Sequence, residues 1–361
     1  MSAHERAGGS GPVRFAVIGL ENPHASGWLH TMHTFSEVEV VGAYRQRPGA
    51  DLPVLRELYG DVPTYDRLED LLEGADFDAG LVLLNGRDAP AAMEMLARVG
   101  KHLLVEKPAA RCPADLIPVA EAVAHNRLAF YPGFTTRAKQ VTRDMQRVVR
   151  EGLLGDILSV QALYLASLVE KRGAGHELFR RDLYGGGILS WLGVHYLDLI
   201  RFITGTEPRW VSAACGNVAR QPIDVEDVAI LAMQLSNGAL ASFHTGYVLT
   251  QEPKHLSFAV YGSKGWMRWA GGGRTLEVFS EADAWFHSPG RTITYASPDA
   301  RGYGGTDGQY FLRRFLASVW GEGEPLLDIG DLMATLETIE AAYRAAGDGI
   351  RVEIGGARRY A

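Results

Sequence analysis

The sequence of 361 residues has only two cysteines, Cys112 and Cys215, and they show no metal-ligand spacing. This scarcity excludes a disulfide framework and a cysteine-based zinc site as expectations. Basic residues do not dominate either, because 36 lysines and arginines stand against 43 aspartates and glutamates, for a net charge of -7. A protein that neutralises many phosphates needs a basic surface, so nucleic acid is not an expected partner.

Long apolar runs are also missing. None approaches the roughly 18 residues that a membrane span requires, so no membrane partner is expected. Residues 1–12, MSAHERAGGSGP, are polar and glycine-rich. They lack the apolar stretch of a secretory signal and predict a flexible tail. The scarcity of cysteine favours a reducing, cytoplasmic location. No carboxylate pattern completes a metal site around His24, His30 and His33, so no bound metal is predicted.

The pattern of apolar segments predicts two domains. From residue 13 to about residue 130, continuously apolar runs such as VRFAVIGL alternate with helical patterns. This texture is typical of a Rossmann-type, doubly wound α/β domain with a parallel sheet, predicted here over residues 13–130. Long alternating segments follow, with SNG and SKG as hairpin turn signals. Residues 131–361 are therefore predicted to form an α+β domain with an antiparallel sheet.

The stretch RFAVIGLENPHASGWLH begins like a strand that enters a phosphate-binding turn, yet it lacks the G-x-G-x-x-G pattern of dinucleotide sites. In the interpretation that we favour, the loop carries three extra residues. Gly19 then forms the tight turn, and Gly27 takes the place of the third glycine, with GWLH as the first helical turn. The helix N-terminus would offer N–H groups to a phosphate, with Asn22 and His24 around it. A turn of this kind can also be purely structural.

The predicted second strand, VEVVGAY, bears on the choice of cofactor. It is followed by RQRPG, which places Arg45 and Arg47 where an acidic residue would bind the ribose 2′-OH of NAD. Arginine at this place accommodates a 2′-phosphate, so the sequence favours NADP over NAD. Exposed arginines are common in loops, and NAD therefore stays open.

At GKHLLVEKP, residues 100–108, the chain resembles the glucose–fructose oxidoreductase, inositol dehydrogenase and rhizopine catabolism (Gfo/Idh/MocA) family. The resemblance extends over GLLGDILSVQA, GGGILSWLGVHYLDLIRFITG and AVYGSKGWM, in this order. It implies a C-terminal domain with a large open sheet, mostly antiparallel, of which one face commonly forms an oligomer interface. It also implies an interdomain cleft that holds the nicotinamide and a polyhydroxylated substrate.

The resemblance also implies roles for individual residues. Glu106 and Lys107 of EKP belong to the nucleotide site, with Lys107 beside the reacting carbon, and His195 is the second catalytic residue. Oxidation of a secondary alcohol requires a proton acceptor at the hydroxyl, which suits His195. A lysine ammonium stabilises developing alkoxide charge, which suits Lys107. Without the resemblance, a strand-end lysine and a buried helix histidine would be the ordinary interpretation.

Two departures from the family pattern stand out. The family usually carries an aspartate four residues before the histidine, and this chain has Trp191 there. Asp198, three residues after His195, is a candidate partner, although the family commonly has this aspartate for structural reasons. The loop LNGRDAP replaces the usual T-P-N-x-x-H, and Asn85 is expected to line the nicotinamide.

The expected function is an NAD(P)-dependent oxidoreductase that acts on a secondary alcohol or carbonyl of a sugar, cyclitol or related polyhydroxylated compound. A homo-oligomer, dimer or tetramer, is expected through the C-terminal sheet. Two alternatives stay open: a non-redox enzyme that uses bound NAD(P) for transient oxidation, as in glycoside cleavage or elimination, and a non-catalytic nucleotide-binding regulator. Besides Trp191 and Asp198, the candidate substrate-binding residues are Arg137, which follows YPGFTT, and three residues before the glycine run at 185–187, namely His176, Arg180 and Tyr184.

Overall fold

The computed structural model describes residues 11–251, 254–270, 274–296 and 300–355. These residues form two compact units. Unit 1 contains residues 11–138 and 300–332, and unit 2 contains residues 139–296 and 333–355. Ten of the twelve residues of the predicted tail lie outside the described part of the chain. Within that part, no helix combines the length and apolar character that crossing a membrane requires.

The β-strands in chain order are Val13–Ile18 (β1), Val38–Tyr44 (β2), Thr64–Tyr65 (β3), Ala79–Val82 (β4), His102–Val105 (β5), Phe130–Pro132 (β6), Ile157–Ser167 (β7), Pro208–Gly216 (β8), Val228–Leu235 (β9), Leu240–Leu249 (β10), His255–Gly262 (β11), Gly265–Ala270 (β12), Thr275–Ser280 (β13), Gly290–Thr294 (β14) and Val352–Glu353 (β15). The α-helices are Ala25–His33 (α1), Pro53–Tyr59 (α2), Leu68–Gly74 (α3), Ala89–Arg98 (α4), Ile117–Asn126 (α5), Gln140–Arg150 (α6), Arg181–Tyr184 (α7), Val194–Thr204 (α8), Gly305–Val319 (α9) and Ile329–Asp348 (α10).

Unit 1 is built on a six-stranded sheet in the order β3-β2-β1-β4-β5-β6. Every neighbouring pair is parallel, which confirms the predicted doubly wound sheet. All four residues of β4 and three of the four in β5 are buried, as expected of strands that helices cover on both faces. The strand order reverses between β1 and β4. Ligands of open α/β sheets bind at such a switch point, beyond the carboxyl ends of the strands.

Helix α9 corrects the predicted domain boundary, which assigned everything after residue 130 to the second domain. Phe315 of α9 lies 5.9 Å from Phe15 of β1 and 5.4 Å from Tyr131 of β6, measured between ring centroids. The Tyr131 hydroxyl donates to the carbonyl oxygen of Arg314 at 3.1 Å. These buried aromatic contacts make α9 part of unit 1. They join residues far apart in sequence, which local patterns do not reveal.

Unit 2 contains a nine-stranded sheet in the order β14-β13-β12-β11-β7-β10-β9-β8-β15. Among the described strands of this second sheet, only β10 and β7 pair in parallel. The predicted antiparallel character is therefore confirmed. Both predicted hairpins form, because β9 pairs with β10 around SNG and β11 pairs with β12 around SKG. A turn of π-helix, Leu189–Gly193, leads directly into α8.

Candidate functional site

The turn between β1 and α1 lies at the switch point of the unit 1 sheet. Gly19 has φ of +95°, a backbone conformation that favours glycine, and a Cβ there would lie 2.8 Å from Leu84 Cδ2. Its N–H donates to the carbonyl oxygen of Tyr44 at 2.8 Å. The geometry is that of the tight turn predicted for Gly19.

Asn22 fixes the loop that follows. Its side-chain amide donates to the carbonyl oxygen of Leu83 at 3.2 Å, just beyond β4, and its Oδ1 accepts from the His24 N–H at 2.9 Å. The second bond is an Asx turn, which bends the chain into α1. The loop is therefore held across the switch point by a buried side chain.

The start of α1 corrects one detail of the sequence interpretation. The helix begins at Ala25, two residues before Gly27, because the turn closed by Asn22 already directs the chain into helical geometry. A Cβ at Gly27 would lie 3.2 Å from Tyr303 Cβ. The absence of a side chain at Gly27 thus allows the backbone at Tyr303 to pack closely against α1. The third glycine of the dinucleotide pattern would instead allow a strand to pack there.

The N-terminus of α1 suits an anion. Its first turn contains no acidic residue, and the N-cap position, His24, makes no side-chain cap hydrogen bond. The opening N–H groups of a helix have no intrahelical acceptors, and the helix dipole is positive at this end. This fits the pyrophosphate of a dinucleotide at the switch point.

Glu106 is a fully buried carboxylate at the end of β5. Its Oε1 lies 3.1 Å from His24 Nδ1, and its Oε2 accepts from Trp28 Nε1 at 2.8 Å. Burial alone would raise the pKa of Glu106, but the hydrogen bond and charge of His24, the Lys107 ammonium and the Trp28 N–H outweigh it and lower that pKa. A negative charge is thereby maintained beside the predicted catalytic lysine.

Lys107 follows directly, with 2% of its surface exposed. A buried ammonium needs compensation, and Glu106 provides a neighbouring negative charge. A Cβ at Gly133, the residue after β6, would lie 3.3 Å from the Lys107 backbone nitrogen. The sheet edge therefore packs closely around the Glu106–Lys107 pair.

The predicted ribose-binding arginine has a partner within unit 1. Arg45 forms a two-point ion pair with Asp66, in which Nη2 and Oδ2 are 3.1 Å apart. This pairing lowers the pKa of Asp66, first through the hydrogen bond. Asp66 is a residue that the sequence analysis missed. Arg47 lies in the loop that follows β2, at the predicted position.

Asn85 organises the loop after β4. Its Oδ1 accepts from the N–H groups of Arg87 and Asp88 at 3.1 Å each, and its amide donates to the Asp88 carboxylate at 2.8 Å. Gln46, next to Arg45, also donates to Asp88, at 2.6 Å. The structure thus gives Asn85 a turn-forming role, and its contact with a nicotinamide stays a prediction.

In unit 2, His195 and Asp198 are buried on α8, three residues apart. Trp191, at the position of the usual aspartate, lies in the π-helical turn and packs edge-on against Tyr184, with ring centroids 5.1 Å apart. An indole has an N–H donor and no acceptor, so Trp191 cannot replace the orienting function of a carboxylate.

A buried carboxylate that the sequence analysis missed, Glu226, holds the start of this turn. It accepts from the N–H groups of Gly187 and Leu189 at 2.9 and 3.0 Å, and from the Tyr343 hydroxyl at 2.8 Å. A Cβ at Gly187 would overlap the Glu226 carbonyl oxygen, so this close approach requires glycine. Burial raises the pKa of Glu226, although the three donors oppose the rise.

The remaining substrate-binding candidates already have partners within their own units. Arg137 is buried in unit 1 and pairs with Asp331 at 2.8 Å. In unit 2, His176 Nδ1 accepts from the Leu178 N–H, and the Tyr184 hydroxyl donates to Glu177 at 3.1 Å. Arg180 forms an exposed pair with Asp182. These contacts give each residue a structural role, and substrate binding stays a prediction.

The three histidines considered for metal binding do not converge. His30 Nδ1 contacts the carbonyl oxygen of Ser26, and His33 packs edge-on against Tyr59. Nowhere in the described ranges do three His, Cys, Asp or Glu side chains form a group that could hold a metal ion.

Comparison with family models decides where the chain belongs. Residues 13–134 match the model described as the oxidoreductase family, NAD-binding Rossmann fold, and residues 142–268 match the GFO/IDH/MocA C-terminal domain. The chain belongs to the Gfo/Idh/MocA family. The two matches follow each other in the order that the family resemblance predicts, and together they cover the whole first sheet and the second sheet from β7 into β12.

Individual relatives of this Gfo/Idh/MocA chain are distant. Levoglucosan dehydrogenase of Pseudarthrobacter phenanthrenivorans is 23% identical over 47% of this chain, and the match spans about half of that enzyme, 49%. D-glucoside 3-dehydrogenase of Escherichia coli is 24% identical over 96% of this chain and 98% of its own length. A structure of levoglucosan dehydrogenase with NADH and levoglucosan superposes with a TM-score of 0.83 at 18% identity, covering 95% and 99% of the two chains.

Proposed function

We propose that this protein is an NAD(P)-dependent oxidoreductase acting on a secondary alcohol or carbonyl of a sugar, cyclitol or related polyhydroxylated compound. The observation that carries the proposal is the buried Glu106, bonded by His24 and Trp28 at the start of α1 and followed directly by the buried Lys107. The relatives named for levoglucosan and D-glucosides support a sugar-like substrate. A small polyhydroxylated substrate, rather than nucleic acid or a membrane, is the expected partner.

The proposed nucleotide site consists of the turn at Gly19, Asn22, His24 and Gly27, with Glu106 and Lys107 at the end of β5 and Asn85 after β4. When bound, the nicotinamide supplies the hydride acceptor or donor. The first turn of α1 binds the pyrophosphate through its N–H groups. Asn22 and the Gly19 turn hold this part of the site in place before the nucleotide arrives.

Lys107 and His195 are the proposed catalytic residues. Lys107 stabilises negative charge on the substrate oxygen, an effect that is large where water is excluded. His195 accepts the hydroxyl proton during oxidation or donates it during reduction. Because Trp191 cannot orient the imidazole as a carboxylate would, we expect His195 to use Asp198, a substrate group or a water, and to contribute less than Lys107.

The preference for NADP stays a prediction that rests on Arg45 and Arg47. Their guanidinium groups are suited to a 2′-phosphate. For Arg45, the phosphate would have to compete with Asp66, whose carboxylate already pairs with the guanidinium. We therefore propose NADP as the favoured cofactor by a modest margin, with NAD as a usable alternative.

The central experiment combines nucleotide binding with turnover. Mass spectrometry of nucleotide released from purified protein, followed by calorimetric titration of NADP and NAD, tests the cofactor. A panel of sugars and cyclitols is then followed by the change in NAD(P)H absorbance. Binding of NADP and turnover of at least one polyol support the proposal. A protein that binds neither nucleotide contradicts it.

Once a substrate is known, variants rank the two catalytic residues. We expect Lys107→Ala to lower kcat by about 10³-fold or more and His195→Ala by about 10²-fold, near the low end for general acid–base catalysis. Trp191→Asp should fold and bind nucleotide as the unchanged protein does. A larger loss for His195→Ala would reverse the ranking, and unchanged turnover in both variants would refute the assigned site.

We also propose that the sheet of unit 2 mediates a homo-oligomer. Leu240 of β10, Tyr261 of β11 and Trp266 of β12 are exposed by 54%, 37% and 37%, and their register aligns them through Ser159 of β7 in one row across four strands. Such a row is an apolar surface on one face of the sheet. Light scattering should give a dimer or tetramer, and Leu240→Asp should shift it toward monomer.

A cytoplasmic location is proposed from the scarcity of cysteine, and Cys112 and Cys215 are both free thiols.

A further inference from the structure

Residues 300–308 reach the dinucleotide turn although they lie far beyond it in the sequence. The Tyr303 N–H donates to the carbonyl oxygen of Gly27 at 2.9 Å. Its ring centroid lies 4.6 Å from that of His24 and 5.0 Å from that of Trp28. One tyrosine from this distant segment thus contacts both residues that bond Glu106.

The local sequence, RGYGGTDG, is built for this close approach. Gly302 has φ of +105°, and a Cβ there would overlap Thr31 of α1. A Cβ at Gly308 would overlap the carbonyl oxygen of Tyr303. Glycine is therefore required on both sides of Tyr303, and its backbone can take only a narrow range of positions.

The two residues that the Tyr303 ring contacts, His24 and Trp28, both bond the Glu106 carboxylate of the candidate active site. His24 Nδ1 lies 3.1 Å from one oxygen of Glu106, and Trp28 Nε1 donates to the other at 2.8 Å. Trp28 is fully buried, whereas the His24 side chain keeps 27% of its surface exposed. Of the two residues that bond Glu106, His24 is therefore the less enclosed, and the Tyr303 ring packs against it.

We propose that Tyr303 is a positioning residue of the nucleotide site. Its ring holds His24 against Glu106, so that the loop between Gly19 and α1 keeps one conformation for the pyrophosphate. This inference rests on the proposed function, because it assigns the loop to a dinucleotide. A preformed loop binds more tightly than one that is ordered only when the ligand arrives.

The test measures the Kd values of NADP and NAD by calorimetry. Tyr303→Leu removes the ring and should raise the Kd of the better-bound nucleotide about fivefold to tenfold, the range expected for aromatic contacts of this kind. Tyr303→Phe keeps the ring and should stay within about twofold of the unchanged protein. Tyr310→Leu makes the same exchange on α9 and serves as the matched control, with an unchanged Kd expected.

A double-mutant cycle separates positioning from general stability. In a His24→Ala background, Tyr303→Leu should change Kd by less than about twofold, because its target is gone. Should Tyr303→Leu fail to fold, Tyr303→Met preserves most of the volume without the ring and takes its place in the cycle.

A lower melting temperature with an unchanged Kd would overturn the inference and leave the proposed function intact, as would additive effects of the two changes. Failure of the unchanged protein to bind either nucleotide would overturn both.

Discussion

Each unit contains a buried glutamate next to a predicted catalytic element, and the two behave oppositely. Glu106 of unit 1 precedes Lys107, and its pKa is lowered. Glu226 of unit 2 holds the turn that leads to His195, and its pKa is raised. Both accept hydrogen bonds on both carboxylate oxygens.

The two carboxylates differ in their partners: Glu106 combines hydrogen bonds with charge interactions, whereas Glu226 has hydrogen bonds from neutral groups alone. Burial opposes ionisation in both cases. The hydrogen bond from His24 comes first among the causes that lower the pKa of Glu106, and charge interactions with His24 and Lys107 add to it. The bonds to Glu226 come from neutral groups, two backbone N–H groups and a phenol, and they do not overcome its burial. Unit 1 thus maintains a charge, whereas unit 2 uses a carboxyl group mainly to anchor backbone.

The largest effect on stability is expected from Glu106→Gln. The change removes a buried carboxylate charge that His24 and Trp28 bond and that interacts with the charge of Lys107, and loss of such a hydrogen-bonded buried charge costs about 3 kcal/mol or more. Denaturant unfolding at pH 7 measures this loss. Glu121→Gln, on an exposed position of α5, is the control and should leave the free energy of unfolding unchanged. If Glu106→Gln is as stable as the unchanged protein, charge does not distinguish the two glutamates.

A smaller loss, about 1 to 2 kcal/mol at pH 7, is expected for Glu226→Gln, because one side-chain oxygen cannot accept from donors placed at both. The pH dependence sharpens the contrast. The raised pKa of Glu226 stabilises the fold below its unfolded value near 4.5, and that contribution is lost as pH rises through the folded pKa.

The contribution of Glu106 to stability has the opposite pH dependence. It is present above pH 4.5 and is lost as pH falls through the lowered folded pKa. Melting temperatures measured across pH should therefore lose the decline that begins above pH 4.5 in Glu226→Gln and the decline below pH 4.5 in Glu106→Gln. The same change of profile in both variants would contradict the comparison.

The smallest effect on stability is expected at a third carboxylate, Asp66, whose pKa is lowered by Arg45 on the protein surface. Water screens this pair, so Asp66→Asn should leave the melting temperature unchanged. It should nevertheless release Arg45 for a 2′-phosphate and tighten NADP binding about threefold to tenfold, with NAD unaffected. Arg45→Asp should instead favour NAD. If Asp66→Asn tightens the binding of NADP and NAD equally, Asp66 does not control the access of Arg45 to the 2′-phosphate.

Much of the fold follows from local sequence, because apolar runs and turn residues specify strands and hairpins directly. The parallel order of unit 1 and the SNG and SKG hairpins are examples. The proposed site residues of EKP and of α8 were selected through the family resemblance, and their roles stay predictions. Asp66, Glu226 and Tyr303 could not, since each acts through a partner at least 21 residues away, on another element. The early start of α1 depends on a side-chain bond of Asn22 that helix periodicity does not encode.

The placement of α9 has a consequence for how the chain folds during synthesis. All six strands of the first sheet are complete once residue 132 has been made, yet Phe15, Trp28 and Tyr131 pack against aromatic residues of α9. At typical translation rates, the ribosome needs roughly ten to thirty seconds to make the intervening residues. During that interval the nascent sheet exposes an aromatic surface that helix 305–319 later covers. Late synthesis of α9 therefore makes this aromatic surface the part of unit 1 most exposed to aggregation while the chain is being made.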